Sequence, residues 1–374
     1  MKRIKILTVF GTRPEAIKMA PLILELKKRS QQFETEVAVT AQHREMLDQV
    51  LETFAITPDY DLNLMKKNQT LAQITKGALT GLEGVIEKSK PDMVLVHGDT
   101  TTTFAASLAA FYKEIPVGHV EAGLRTWNKF SPYPEEMNRQ LTGVIADLHF
   151  SPTEQAKNNL LAENKPADRI FVTGNTGIDA LKTTVNPKYH HEILQANADK
   201  RLVLVTAHRR ENLGAHMEQM FRAIRKLVET HPDIYVVYPV HLNPKVQETA
   251  NQILGDVERI QLIEPLGVID FHNFLSRAYL TLTDSGGIQE DAPSLGVPVV
   301  VLRDTTERPE GVAAGTLKLA GTNEEDIFQV ANELLSDETA YVKMAKAVNP
   351  YGDGEASARI IAAILKYFHG EEDK

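Results

Sequence analysis

Cysteine is missing from all 374 residues. Its absence excludes disulfides and any thiolate metal site, and it suits a reducing cytoplasm. Positive charge is also short: the formal net charge is -9. A general nucleic-acid role is therefore not expected, and any phosphate site must be a local basic pocket. No apolar run is long enough to cross a bilayer, so no membrane partner is expected. Met1-Lys2-Arg3 resembles a signal n-region, but the apolar run after it is seven residues and no small-residue cleavage site follows. The spacing Gly-x-Gly-x-x-Gly after a strand is absent, as is the Walker pattern. Gly352-x-Gly354 comes nearest, and no strand precedes it. His208, His241 and His272 lack zinc spacing. The expectation is thus no metal and no nicotinamide cofactor. Solenoid repeats and low-complexity segments are missing too.

What is present is a regular alternation of strand-like and helix-length stretches. The runs 4–10, 35–40, 93–97, 116–121, 148–151 and 170–173 are apolar and rich in β-branched residues. A second series follows at 202–207, 234–240, 260–264, 279–283 and 298–302. Continuous apolar strands alternating with helices predict parallel sheets covered on both faces. The length favours two domains. The fold class expected is α/β: two Rossmann-like doubly wound domains facing a cleft. The first spans 1–182, a linker spans 183–200, and the second spans 201–354. The helix in 355–374 is expected to cross back onto the first domain.

The polar motifs fall just after predicted strands, where such sheets bind ligands. Gly11-Thr12-Arg13-Pro14-Glu15 joins the first strand to a helix carrying Lys18. Free N–H groups and two cations there suit a phosphate, and a purely geometric turn is the equal alternative. His97-Gly98-Asp99-Thr100 offers a helix cap, a catalytic carboxylate, or both. Glu121 closes an apolar run, so burial should raise its pKa; an ion pair with Arg125 is the alternative. Glu135 and Glu136 follow Pro134 as a helix first turn would, and Glu136 fits that plain role better. His208-Arg209-Arg210 suits a diphosphate, as does Ser285-Gly286-Gly287 at a helix start. Arg303 to Gly311 reads either as a salt-bridged loop or as a closing element.

Taken together, these motifs resemble the non-hydrolysing UDP-N-acetylglucosamine 2-epimerases of bacteria. The likeness runs from Gly11 to Gly354. It rests on Gly-Thr-Arg-Pro-Glu-Ala-Ile-Lys, His-Gly-Asp-Thr, Val-Glu-Ala-Gly-Leu-Arg, Pro-Glu-Glu-x-Asn-Arg, His-Arg-Arg-Glu-Asn, Asp-Ser-Gly-Gly-Ile-Gln-Glu and Arg-Asp-Thr-Thr-Glu-Arg-Pro-Glu, in that order. The resemblance implies a GT-B fold, with the nucleotide mainly on the second domain. It implies a cytoplasmic homodimer that makes UDP-N-acetylmannosamine for surface polysaccharide or teichoic-acid linkage. It also implies catalytic roles for Lys18, Asp99, Glu121, Glu135 and His208. Arg13, His208, Ser285, Gly286 and Gly287 fall to the diphosphate and Phe271 to the uracil neighbourhood. Asp291 stands where a glutamate is usual, and a ribose contact is implied for it at shorter reach. Trp127, the sole tryptophan, replaces a common glycine. Many members are activated by their own substrate at a second site, which here implies Gln42, His43, Glu136, Arg210 and His241.

The chemistry fits these residue types. Hydrogen on carbon 2 of the sugar has no adjacent carbonyl and is barely acidic. Either a nicotinamide oxidises the sugar transiently, or UDP is expelled to give a 2-acetamidoglucal and then returns. The second route needs carboxylates for proton transfer and cations for the leaving diphosphate. A GT-B glycosyltransferase and a hydrolysing epimerase remain open at this point, as does a sensor that only binds UDP-sugars. The expectation of no appended kinase segment disfavours the bifunctional animal form of the hydrolysing class.

Overall fold

A computed structural model describes residues 2–41, 44–66 and 69–370. The chain divides into two compact units, Met1–Thr183 with Tyr351–Lys374, and Thr184–Pro350. The first unit holds β1 (Ile4–Phe10), β2 (Phe33–Val39), β3 (Tyr60–Asp61), β4 (Met93–His97), β5 (Val117–Val120), β6 (Leu148–Ser151) and β7 (Ile170–Val172). They form one parallel sheet in the order β3-β2-β1-β4-β5-β6-β7. Ile6, Leu7, Val9 and Phe10 of β1 are all buried, which is why that run is apolar without alternation. One face packs Met19, Leu22, Ile23 and Leu26 of the helix Arg13–Lys28; the other packs Ala105, Ala106 and Ala109 of Thr101–Tyr112.

The final helix, Ala356–His369, belongs to this first unit. Ile360, Ile361 and Ile364 enter the core beside Phe10 and Met19. Its start is fixed by Asp179, whose two oxygens accept from the N–H groups of Ala356 (3.0 Å) and Ser357 (2.7 Å). A carboxylate at that end satisfies orphan donors and opposes the helix dipole.

The second unit holds β8 (Arg201–Thr206), β9 (Ile234–Pro239), β10 (Ile260–Ile263), β11 (Leu280–Thr283), β12 (Val299–Val301) and β13 (Leu317–Leu319). Their order is β10-β9-β8-β11-β12-β13, again parallel. The segment 183–200 is no free linker. Tyr189 donates to Asp270 (2.6 Å), and Asn273 donates to Thr184 O (2.8 Å). From Thr184 to Pro350 the chain therefore belongs to the second unit.

Both units are Rossmann-like, and the fold is of the GT-B class. In each, the strand order reverses beside the first strand: between β1 and β4, and between β8 and β11. Loops on either side of such a reversal separate and leave room for a ligand. Among the described residues, no helix is long and apolar enough to cross a membrane.

Candidate functional site

In the first unit the loops after β1, β4 and β5 meet. Gly11 ends β1 where two threonines cross it. A Cβ there would lie 2.1 Å from Thr40 Oγ1 and 2.7 Å from Thr102 Oγ1, so only glycine fits. Those hydroxyls bond each other at 2.8 Å. Glu15 then reaches back from the helix. One oxygen accepts from Gly11 N (3.0 Å) and Thr12 N (2.8 Å), and the other from Thr100 Oγ1 (2.7 Å) and Thr103 Oγ1 (3.2 Å). Burial pushes this carboxyl up, against the pull of its four donors. The expectation of free N–H groups at Gly11 and Thr12 is thereby corrected: a carboxylate of the same chain takes them. Arg13 is different. It is half-buried, burial lowers its pKa, and it has no hydrogen-bond or ion-pair partner among the described residues. A guanidinium remains charged even so.

Thr100, not Asp99, caps the helix after β4, accepting from Thr103 N at 3.1 Å. Asp99 is left for other work. Arg139 donates to its Oδ2 (2.5 Å), and Asn138 donates to its carbonyl (3.0 Å). Burial pushes the Asp99 carboxyl up; Arg139 pulls against this, while the charges of Glu121 and Glu135 add to it. Those two carboxylates are therefore close enough to be felt at Asp99.

Glu121 follows β5 with φ of +64°, a left-handed conformation that a glutamate adopts at a cost of roughly 1–3 kcal/mol. Its Oε2 accepts from Lys18 Nζ and from Asn175 Nδ2 (2.9 Å). His97 Nε2 lies 3.8 Å from the same oxygen. Burial pulls His97 down to about 4, so the ring is neutral at pH 7. Arg125 does not pair with Glu121. It forms a two-bond contact with Glu163, at 2.6 and 2.9 Å.

Glu135 opens the helix Glu135–Ile145 and is half-buried. Its neighbour Glu136 is wholly buried and committed. It accepts from the backbone of Thr126 (3.0 Å) and Trp127 (3.1 Å) and from Gln140 (2.7 Å). This side chain holds the loop before it, and the contact with a regulatory ligand that the resemblance implies for Glu136 is a matter for proposal. Gln42 and His43 lie outside the described residues.

The second unit builds its own site where β8 and β11 part. Asp284 is wholly buried there. Its Oδ2 accepts from His208 N (2.9 Å), Arg209 N (2.8 Å) and Asn212 Nδ2 (3.1 Å). Its Oδ1 faces His208 Nδ1 at 3.3 Å. Burial alone would raise this carboxyl; His208 and the backbone donors outweigh it and hold Asp284 below its ordinary value. His241 stacks on His208, with ring centroids 5.5 Å apart and planes 15° from parallel. Desolvation, then His208, lowers the pKa of His241. Arg210 opens the turn Arg210–Asn212, and its side chain lies outside those described.

Ser285 N–H is already bonded to Thr283 Oγ1 (2.9 Å), a correction to its reading as a free donor. The N–H groups of Gly286 and Gly287 donate to nothing among the described residues. A Cβ on Gly286 would have Arg308 Nη2, Glu307 Oε2 and Arg209 Nη2 at 3.8–3.9 Å, so cations surround this turn. Asp291 sits half-buried in the following helix, Ile288–Ser294. Glu290 beside it is buried and bound to Arg308 Nε. Phe271 is on Val268–Leu275, partly buried against a core cluster that holds residues of β8, β9 and β12.

Four participants were not assigned from the sequence. Glu15, Arg139 and Asp284 stand inside recognised motifs, and their roles depend on which loop they reach. Asn175 follows β7 in Gly174-Asn175-Thr176, a polar group just past a strand end, which was the available signal. Among the described residues, no group of three or more His, Asp or Glu is arranged to hold a metal.

Comparison with known proteins gives the family of the chain. The family model for UDP-N-acetylglucosamine 2-epimerase matches residues 25–365. The Bacillus subtilis UDP-N-acetylglucosamine 2-epimerase is 65% identical over 368 residues, covering 98% of this chain and 97% of that protein. A solved UDP-N-acetylglucosamine 2-epimerase structure superposes with a TM-score of 0.92 at 62% identity, covering 100% of this chain and 98% of the other. The Neisseria meningitidis enzyme, solved bound to UDP-N-acetylglucosamine, gives 0.88 at 52% identity, covering 97% and 100%. The chain belongs to the UDP-N-acetylglucosamine 2-epimerase family and is an isomerase.

Proposed function

We propose that the enzyme inverts carbon 2 of UDP-N-acetylglucosamine by eliminating UDP and adding it back. The observation that carries this is the gathering of Asp99 and Glu121, with the charge of Glu135 felt at Asp99, at neighbouring strand ends beside Lys18. One carboxylate removes the proton from carbon 2. The freed electron pair becomes the bond between carbons 1 and 2, and the bond from carbon 1 to oxygen breaks with its pair leaving on UDP. The intermediate is 2-acetamidoglucal. On return, a UDP oxygen adds to carbon 1 and a proton reaches carbon 2 from the opposite face, giving UDP-N-acetylmannosamine. Glu121, paired to an ammonium, suits the base. Asp99, whose carboxyl is pushed up, suits a proton carrier, and Glu135 stabilises positive charge on the ring.

The leaving diphosphate falls to His208, to Arg13 and to the Ser285-Gly286-Gly287 turn, where two backbone donors stand open. Phe271 takes the uracil neighbourhood and Asp291 the ribose. The bound nucleotide sugar of the Neisseria relative supports this choice of ligand. We further propose activation by UDP-N-acetylglucosamine at a second site using Gln42, His43, Arg210 and His241; reverse turnover from UDP-N-acetylmannosamine alone, with hyperbolic kinetics, contradicts it. A cytoplasmic homodimer supplying surface polymers completes the reading.

The test is product analysis with Asp99→Asn and Glu121→Gln as controls. UDP-N-acetylmannosamine should accumulate without free sugar, and each substitution should lower kcat about 10²–10⁴-fold while UDP still binds. Free N-acetylmannosamine with UDP indicates the hydrolysing class, and turnover only with an added acceptor indicates a transferase.

A further inference from the structure

Asp284 is a fully buried carboxylate outside the proton-transfer cluster, and its two oxygens are used unequally. Oδ2 is saturated by two backbone N–H groups and the Asn212 amide. Oδ1 is buried and has no hydrogen bond. It faces one group, His208 Nδ1, at 3.3 Å, an ion-pair contact not yet aligned as a hydrogen bond. A buried carboxylate oxygen without a donor is costly, so a donor there has a structural reason to stay. The surroundings fix the pair. Tyr238 donates to Ala207 O (2.6 Å), which pins the end of β8 just before His208. Asn212 also donates to Leu302 O (3.4 Å), tying the turn to the end of β12. His241 covers the flat face of His208 and accepts from Asn243 N through its own Nδ1 (3.1 Å).

We propose that Asp284 is a positioning residue that holds His208 with a proton on Nδ1, so that Nε2 is the nitrogen presented to the leaving diphosphate. This rests on the proposed role of His208 in UDP departure. When the bond from carbon 1 to oxygen breaks, negative charge grows on the diphosphate oxygen. A doubly protonated ring, an imidazolium whose Nδ1–H is held by the carboxylate, gives or shares its Nε2 proton with that oxygen, is left as the neutral Nδ1–H form, and takes the proton back when UDP returns. The carboxylate fixes the ring's orientation and its tautomer and stays ionised throughout. The same carboxylate orders the N–H groups of His208 and Arg209, so one buried charge sets both the ring and its backbone.

A double-mutant cycle separates this role from simple structural support. Asp284→Asn should lower kcat about 10²-fold with little change in KM. In a His208→Asn background the same substitution should have almost no further effect, because the group it acts through is gone. Equal losses in both backgrounds overturn the role of Asp284. Full activity of His208→Asn overturns the leaving-group reading and the proposal with it. Since a substitution this deep can impair folding, a second measurement uses the unaltered enzyme. Nitrogen-15 imidazole spectra, assigned with His208→Asn, should show Nδ1 of His208 protonated. An Nδ1 without a proton and Nε2 protonated overturns the proposal whatever the variants do.

Discussion

Glu15 shows how one side chain can decide what a turn does. Its position in Gly11-Thr12-Arg13-Pro14-Glu15 was plain in the sequence, and so was the helix start. Its four donors were not, because two of them come from Thr100 and Thr103 at the start of a helix 85 or more residues away. The same limit hid the pairing of Arg125 with Glu163 and that of Arg139 with Asp99. Spacing along the chain reports which groups are available, whereas partners are chosen by the sheet order. Conversely, Asp99 and Glu121 could be picked out as candidates because they lie just past strand ends, a position that topology alone makes informative, and Lys18 because it sits in the helix that follows β1. Replacing Glu15 with alanine should leave two N–H groups and the Thr100 hydroxyl without their acceptor, while Thr103 keeps the His97 carbonyl (2.6 Å). The expected loss is roughly 2–4 kcal/mol, read as a lower urea midpoint. A change within experimental scatter contradicts the role given to Glu15.

At the scale of elements, the apolar runs located most strands within a residue or two. The two that escaped, β3 and β13, are short edge strands. Tyr60–Asp61 is too brief for any period, and Leu317–Leu319 has a lysine at its centre. Neither needs a continuous apolar run, since an edge strand has a neighbour on one side only. The loop before Glu135–Ile145 was harder still. Its hold on Glu136 is visible only once the chain doubles back. Glu136→Ala should therefore loosen the loop in ligand-free protein. The emission and anisotropy of Trp127, the sole tryptophan, should change, with stability falling by roughly 1–3 kcal/mol. A variant of unaltered stability and fluorescence, but altered kinetic activation, would contradict the loop-holding role and favour a regulatory one for Glu136.

For the whole molecule, the first unit carries an acid liability. His97, His119 and His149 lie in β4, β5 and β6, and burial pulls them down to about 4, about 3 and about 4. Folded, they are neutral at pH 6; unfolded, they take protons near the ordinary histidine value of about 6.5. The unfolded chain then binds more protons, so stability falls as pH drops through 6.5 and goes on falling to about 4. Above 6.5 the three contribute no slope. Denaturation of the first unit followed from pH 8 to 4.5 should show that bend, and His149→Phe should weaken it. A flat profile below pH 6.5 contradicts the neutral, buried state of these rings.

The proposed mechanism has the first unit move a proton at carbon 2. The measurement that tests this most directly is proton NMR of the enzyme with UDP-N-acetylglucosamine in deuterium oxide. Elimination and return predict deuterium at carbon 2 of UDP-N-acetylmannosamine and, as the reaction reverses, of the starting nucleotide sugar. Epimerised product that keeps its original hydrogen at carbon 2 would contradict the account.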